Sequence, residues 1–404
     1  MKKLLIVPMA ALVCLATLTS CSAAEPEPTN NAPSGDPIKI GLVPAVAGFG
    51  ASIAQNTIDA WVYAVDEINA NGGLLGRPVE IIRKDSDGKP ETTLRSAREA
   101  LNEGAEFLVG VNSTTEVLAL TAQLPTMDTL LMVSNSKADA LTGADCSPDA
   151  FRVNQSNAMD FAAFHDYIGE LDGETWAVQG VDSVSGHDAV ESFRAIIEAA
   201  GKTIIAEQFA SSGATEFGAN ITALEQSGAD SLFVVEYSAD AVSFTTQAEQ
   251  FDLFSKFDTV LGSNTFIEPL FESFGTGAVG VYGNLGWAVQ DDNPVSADFA
   301  ENWTQAFGSA PNYIHADNYL GAQTLFQAIA NAETTDVDAV RSELEGMTFD
   351  SIAGEVTMRA EDHQLVRPSY IGQVIEADGK LVWDVAADAT GAETSPSANP
   401  ACKL

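Results

Sequence analysis

The sequence predicts an α/β fold in which doubly wound parallel sheets make two similar lobes joined by several crossings. Three observations carry this prediction. Residues 38–87 read strand, helix, strand, a βαβ unit whose crossover is right-handed by the general rule. The same alternation continues along the chain and restarts once, near Trp176. Most strand segments are short continuous apolar runs, as in parallel sheets covered on both faces.

Taken in order, Ile38-Lys39-Ile40-Gly41-Leu42-Val43 is an apolar strand that breaks at Pro44 and leads into the Gly-containing loop 47–51. Ser52 is the N-cap of a helix whose Ile58, Trp61, Val65 and Ile68 share one buried face. Asn71-Gly72-Gly73 stops that helix with residues that tolerate left-handed angles, and strand 78–82 follows. Further strands are expected at 106–110, 130–133, 151–154, 176–179, 204–206, 232–235, 259–261 and 279–282. Helices alternate with them at 91–102, 114–123, 158–169, 188–200, 217–226 and 241–250. Beyond residue 297 helices dominate, at 297–307, 315–332 and 337–344. The chain closes with a strand at 354–358 and a hairpin, 371–376 and 381–384, turning at Asp378-Gly379.

At 404 residues, 46% hydrophobic and 8% aromatic, the chain can fill two globular cores. Its net charge of −38 excludes a basic phosphate-binding face, so nucleic acid is not an expected partner. A solvated, like-charged surface explains the acidity.

The N-terminus reads as an export signal, residues 1–20, with Lys2 and Lys3 before an apolar run at 4–18. Leu18-Thr19-Ser20-Cys21 matches the bacterial lipoprotein cleavage box, with Cys21 as the lipid acceptor; an ordinary secretory signal with an incidental cysteine is the rival. Residues 21–36 are rich in Pro, Ser, Asn and acid and form a disordered tether with a root-mean-square reach of roughly 20 Å. The remaining cysteines, Cys146 and Cys402, are an even pair in an oxidising compartment and imply one disulfide; two free thiols are the alternative.

Enzyme chemistry finds little support in the residues. His165, His187, His315 and His363 form no metal spacing, and no cysteine lies near a histidine, so no metal is expected. No Walker A loop or G-x-S-x-G elbow occurs, and no cofactor is expected. Ser185-Gly186-His187-Asp188 holds triad residue types but reads as a loop and helix start. The chain does place small polar residues just past strand ends. Asn112-Ser113-Thr114-Thr115 opens a helix whose free N–H groups can receive an anion or carbonyl, and Ser134-Asn135-Ser136-Lys137 follows the next strand. Either loop could be simple capping; together they face one crevice at the carboxyl ends of neighbouring strands.

The runs IKIGLVPAVAGFG, AVDEINANGGLLGRPVEIIRKDSDGKPE, EFLVGVNSTTEVLALT, LLMVSNSKADALT and LEGMTFDSIAGEVTM span nearly all of residues 38–385. In them the chain resembles the type I periplasmic binding proteins of the branched-chain amino acid class, the solute receptors of ABC importers. The resemblance implies two doubly wound lobes with three crossings, near 151–157, 282–287 and 357–364, closing on a ligand. Lobe 1 would hold 37–153 and 286–358, lobe 2 would hold 157–282 and 364–386, and 387–404 would be a C-terminal tail.

Carried over residue by residue, the carboxylate-gripping loop matches Ser113, Thr114 and Thr115. The next loop matches Asn135, Ser136 and Lys137, and lobe 2 contributes Ser185 and Tyr237. The family's ammonium-binding acid falls at Asn264, so a standard amino acid ligand needs another carboxylate, Glu236 or Asp240. Lys137 would pair with a ligand carboxylate or stand at the surface. Phe49, Tyr237 and Trp287 would be apolar wall or core packing. The resemblance further implies a monomer, lipid-anchored on the extracytoplasmic face of the cell membrane, with a small-molecule ligand and an ABC permease as partners. The expected ligands are branched-chain or other small amino acids, then short amides, then aromatic acids. A ligand sensor without transport and a cell-envelope hydrolase are the alternatives.

Overall fold

The computed structural model describes residues 32–48, 50–290, 293–389, 391 and 395–404. Cys21, the expected signal and Phe49 therefore lie outside the described residues. The chain opens with β1 (Ile38–Leu42), α1 (Ala51–Ala70), β2 (Val79–Arg83), α2 (Pro90–Asn102), β3 (Phe107–Val109), α3 (Thr114–Thr121), β4 (Leu130–Val133) and β5 (Ala150–Arg152). These five strands form a parallel sheet in the order β2-β1-β3-β4-β5.

There follow α4 (Asn157–Tyr167), β6 (Thr175–Asp182), α5 (Val184–Ala199), β7 (Thr203–Ser211), α6 (Gly218–Glu225), β8 (Ser231–Val235), α7 (Ser238–Gln250), β9 (Thr259–Gly262), α8 (Phe271–Phe274) and β10 (Tyr282–Leu285). The last third contains α9 (Pro294–Phe307), α10 (Tyr313–Ala332), α11 (Val337–Leu344), β11 (Thr348–Ser351), β12 (Gly354–Met358), β13 (Leu365–Val366), β14 (Ser369–Ala377) and β15 (Lys380–Ala389). The second sheet has seven strands, in the order β15-β14-β10-β9-β8-β6-β7. Its β14–β15 hairpin joins antiparallel to β10. β11, β12 and β13 make a small antiparallel sheet.

Each large sheet is the centre of one lobe. In the first, Ile40, Leu42, Phe107, Val109 and Met132 face α1 and α10, while Leu108, Leu131 and Val133 face α2 and α3. This alternation within continuous apolar strands is what burial on both faces requires. In the second, Trp176, Val178 and Phe233 face α4 and α5, and Ala177, Leu232 and Val234 face α6 and α7.

Two strands differ from the sequence-based expectation. The strand expected at 279–282 begins only at Tyr282, because Gly280 has φ +88° and Val279 N–H closes a turn on Thr276 O. β7 is much longer than 204–206; it is the edge strand beside β6, and its partly exposed polar residues leave no long apolar run in the sequence.

The passages between the lobes lie side by side. Arg152 Nε donates to Gln364 Oε1 at 2.5 Å, and Gln364 Nε2 donates to Asn154 O at 3.0 Å. Gln155 Nε2 donates to Gly286 O at 2.8 Å and Pro368 O at 3.0 Å. Arg367 reaches Gly286 O at 2.5 Å and Val153 O at 3.3 Å. Buried amide and guanidinium groups thus satisfy carbonyls that a change of chain direction leaves outside any sheet.

After β15 the chain turns back to the first lobe. Arg359 Nη1 donates to Pro396 O at 2.5 Å, and Cys402 is disulfide-bonded to Cys146, with the Cα atoms 5.5 Å apart.

Candidate functional site

Loops at the carboxyl ends of strands from both sheets converge between the lobes. A cavity of about 110 Å³ lies there, lined by residues that follow β1, β3, β4 and β5 on one side and β6, β8 and β9 on the other. Tyr313, Ile314 and Asp317 from the start of α10 complete it. Ile53, Ile267 and Ile314 supply apolar wall, and small polar side chains the rest.

The loop after β3 is held by a buried carboxylate. Glu116, in the first turn of α3, is fully buried and accepts from Ser113 Oγ at 2.5 Å, from Ser86 Oγ at 2.7 Å and from Thr93 Oγ1. Three hydroxyl donors compensate the carboxylate and fix Ser113 at the cavity edge. Asn112 Nδ2 donates to Gly50 O at 3.2 Å, which ties the β3 loop to the start of α1. A side chain at residue 50 would not fit, since its Cβ would lie 2.7 Å from Asn112 Cβ. Thr114 Oγ1 stands 3.2 Å from Ser136 Oγ, joining the loops after β3 and β4.

Side-chain contacts also bridge the lobes at the cavity. Lys137, after β4, donates to both carboxylate oxygens of Asp160 on α4, at 3.0 and 2.8 Å. Ser238, at the start of α7, donates to Ser52 Oγ on α1 at 3.3 Å. Asn264 Nδ2 also donates to Asp160, at 3.2 Å, and Asn284 Oδ1 accepts from Asn264 N–H at 3.0 Å. Ser238 and Asn264 have φ of 55° and 54°, a region that side chains other than glycine rarely enter. Held backbone of this kind clusters at ligand clamps and switch regions.

A second buried ion pair stands behind the first. Asp317 accepts from Arg367 Nη1 at 2.5 Å, with both side chains essentially excluded from solvent. Burial pushes the Asp317 carboxyl above its ordinary range, and the Arg367 guanidinium opposes that shift. Tyr237, with its hydroxyl 3.5 Å from Ser185 O, is raised chiefly by burial.

Of the residues singled out from sequence, Ser113, Thr114, Asn135, Lys137, Ser185, Tyr237 and Asn264 line this cavity. Thr115 does not: one helical step past Thr114 carries its side chain round to the exposed face. Ser136 is fully buried behind the wall. Trp287 is core, its indole N–H donating to Ile352 O at 2.9 Å and its ring edge-on to Phe299.

Glu236 and Asp240 are also absent from the lining. Glu236 accepts from Gln179 Nε2 at 2.7 Å and Asp240 from Gly213 N–H at 2.7 Å. Lys137 is neither at the open surface nor unpaired, and the acid near Asn264 is Asp160, which no local sequence signal marks. In the Ser185-Gly186-His187-Asp188 run, His187 pairs with Asp182 at 2.9 Å and Ser185 Oγ sits 3.3 Å from Ser183 Oγ. Among the described residues, no group of three or more His, Cys, Asp or Glu is placed to hold a metal ion.

Comparison with known proteins agrees with this architecture. A Leu/Ile/Val-binding protein homologue of Brucella abortus is 23% identical over 371 residues, covering 86% of this chain and 87% of its own. The structure of an ABC transporter substrate-binding protein from Sphaerobacter thermophilus superposes with a TM-score of 0.80 at 25% identity, covering 88% of this chain and 98% of that one. An ABC transporter solute-binding protein from Rhodopseudomonas palustris, solved with 3,4-dihydroxybenzoic acid, also gives 0.80, at 22% identity over 88% and 98% of the two chains. The sequence pattern of the periplasmic binding proteins matches residues 37–380, and the chain belongs to that family.

Proposed function

We propose that this protein is the substrate-binding lipoprotein of an ABC importer. It is exported, held by lipid on Cys21 at the extracytoplasmic face of the membrane, and works as a monomer without enzymatic turnover. Lobe 1, 37–153 with 286–358, and lobe 2, 157–282 with 364–386, close on a small solute of amino acid or short amide size and present it to the permease. The observation that supports this most is the convergence of polar strand-end loops from both sheets on one cavity, bridged by Lys137–Asp160 and Ser52–Ser238. Contacts that exist only between lobes are what a ligand can use to favour the closed form.

A thermal-shift screen of small amino acids, amides and aromatic acids tests the receptor reading. A ligand should raise the melting temperature of the wild-type chain and do so less in Thr114→Ala; a flat response to every compound counts against it. Incorporation of labelled palmitate, lost in Cys21→Ser, tests the anchor.

A further inference from the structure

Three carboxyl groups gather where the second lobe meets the start of α10: Asp160, Asp317 and Glu268. Two of them face a cation, Asp160 with Lys137 and Asp317 with Arg367. Glu268 does not. It opens the 3-10 turn Glu268–Leu270 after β9 in the second lobe, and that turn touches α1 of the first. Its carboxyl group lies against the first turn of α10, with Tyr313 N–H and the Trp383 indole N–H of β15 as neighbouring donors. Glu268 Oε2 is nevertheless buried without a hydrogen-bond partner, and among the described residues no lysine, arginine or histidine pairs with it.

The other charges near this carboxyl group do not compensate it. Asp317 faces it from α10 and opposes a negative charge there. α1 carries no charged side chain before Asp59. Glu272 on α8, and Lys380 and Asp384 on β15, are exposed. A carboxylate held between the lobes therefore gives up hydration and meets a like charge, with no counter-ion in return. A neutral carboxyl group leaves one oxygen bare at much lower cost. Tyr313 and Asp317 belong to the first lobe, so parting the lobes takes them away and returns water to Glu268.

On the reading that the two lobes close on a ligand, we propose that Glu268 takes up a proton as they close, so that closure, and ligand capture with it, is favoured in a mildly acidic medium. Glu268 does not line the cavity; it acts on the hinge motion and not on the ligand. Burial, aided by Asp317, pushes its carboxyl group up from 4.5 to about 7 in the closed form. In the open form it returns toward its ordinary value. The closed form holds the extra proton between those two values, and raising the pH from 6 to 8 should lower the closing constant by about tenfold.

Two variants separate the states. The Ser52 and Ser238 hydroxyls stand 3.3 Å apart across the lobes, so oxidised Ser52→Cys with Ser238→Cys locks the closed form. Lys137→Glu sets a like charge against Asp160 and holds the lobes apart, seen as a radius of gyration larger than that of the locked protein. Carbon-13 NMR of glutamate labelled at the side-chain carboxyl follows Glu268, whose signal is assigned by its loss in Glu268→Gln. The expected result is titration near pH 7 in the locked protein and in the ordinary glutamate range in Lys137→Glu. Titration in the ordinary range in the locked protein would overturn the proposal. So would an equal, raised value in both, once scattering shows Lys137→Glu to be open; the receptor reading would then stand. A Lys137→Glu protein no larger than the locked one, or a cysteine pair that never joins, would overturn the proposal and count against the closing receptor as well.

Discussion

Replacing Asp317 by alanine should destabilise the ligand-free protein far more than a typical substitution. Asp317 and Arg367 have side-chain exposures of 1% and 0%. Arg367 also donates to Val153 O and Gly286 O, so its guanidinium is fixed where the chain passes between lobes. Without Asp317 the buried guanidinium loses the carboxylate that faces it, and breaking one side of such a pair costs roughly 3–5 kcal/mol. Asp317→Asn keeps an acceptor and should cost less, on the order of 2 kcal/mol. Asp317→Leu combined with Arg367→Met removes both charges and should recover much of the loss, short of wild type by about 1 kcal/mol for each carbonyl left unpaired. Urea unfolding followed by tryptophan fluorescence measures all three. A midpoint for Asp317→Ala that stays within about 1 kcal/mol of wild type would refute the reasoning, as would a double variant less stable than the single one.

Other consequences are equally open to measurement. Thr114→Ala should weaken binding of any cavity ligand by roughly 1–3 kcal/mol, read as a dissociation constant, if the hydroxyl meets a buried acceptor; an unchanged constant removes Thr114 from the site. Non-reducing peptide mapping should recover a Cys146–Cys402 peptide pair, and Cys402→Ser should lower stability by roughly 2–5 kcal/mol in chemical denaturation. Burial pushes Glu236 up to about 7, so its contribution is favourable at low pH and is lost as pH rises through about 7. Glu236→Gln should therefore raise the melting temperature at pH 8 and leave it nearly unchanged at pH 4. His315 moves the opposite way, lowered by burial to about 4. Its contribution is present above its ordinary value and lost as pH falls through about 4, so replacing it should flatten the acid limb of a stability–pH profile.

The fold was legible in the sequence wherever strands were continuous apolar runs. Leu130–Val133 and Ser231–Val235 could hardly be anything but buried strands, and both are. Legibility failed at β7, where partly exposed polar positions replace the apolar run, and at β10, where Gly280 defers the strand. The site divides in a similar way. Local signals exposed the loops after β3 and β4, because runs of small polar residues after two neighbouring buried strands meet at one crevice. Asp160 and Asp317 carried no such signal. Their partners stand 23 and 50 residues away, and nothing short of the folded arrangement says that Lys137 faces one and Arg367 the other. Trp287 misled for the converse reason: an aromatic near a crossing looks like a ligand wall until its N–H is seen to be satisfied in the core.

The return of the C-terminus from the seven-stranded side to Cys146 has a practical consequence. A dye attached at Lys403, the residue after the half-cystine, travels with the five-stranded jaw although the preceding hairpin belongs to the other. Paired with a second dye at Glu191, whose side chain is 79% exposed on α5, it would report jaw separation by energy transfer. Reducing the disulfide would release the first dye from its jaw, so the same pair would read the covalent strap as well as the hinge.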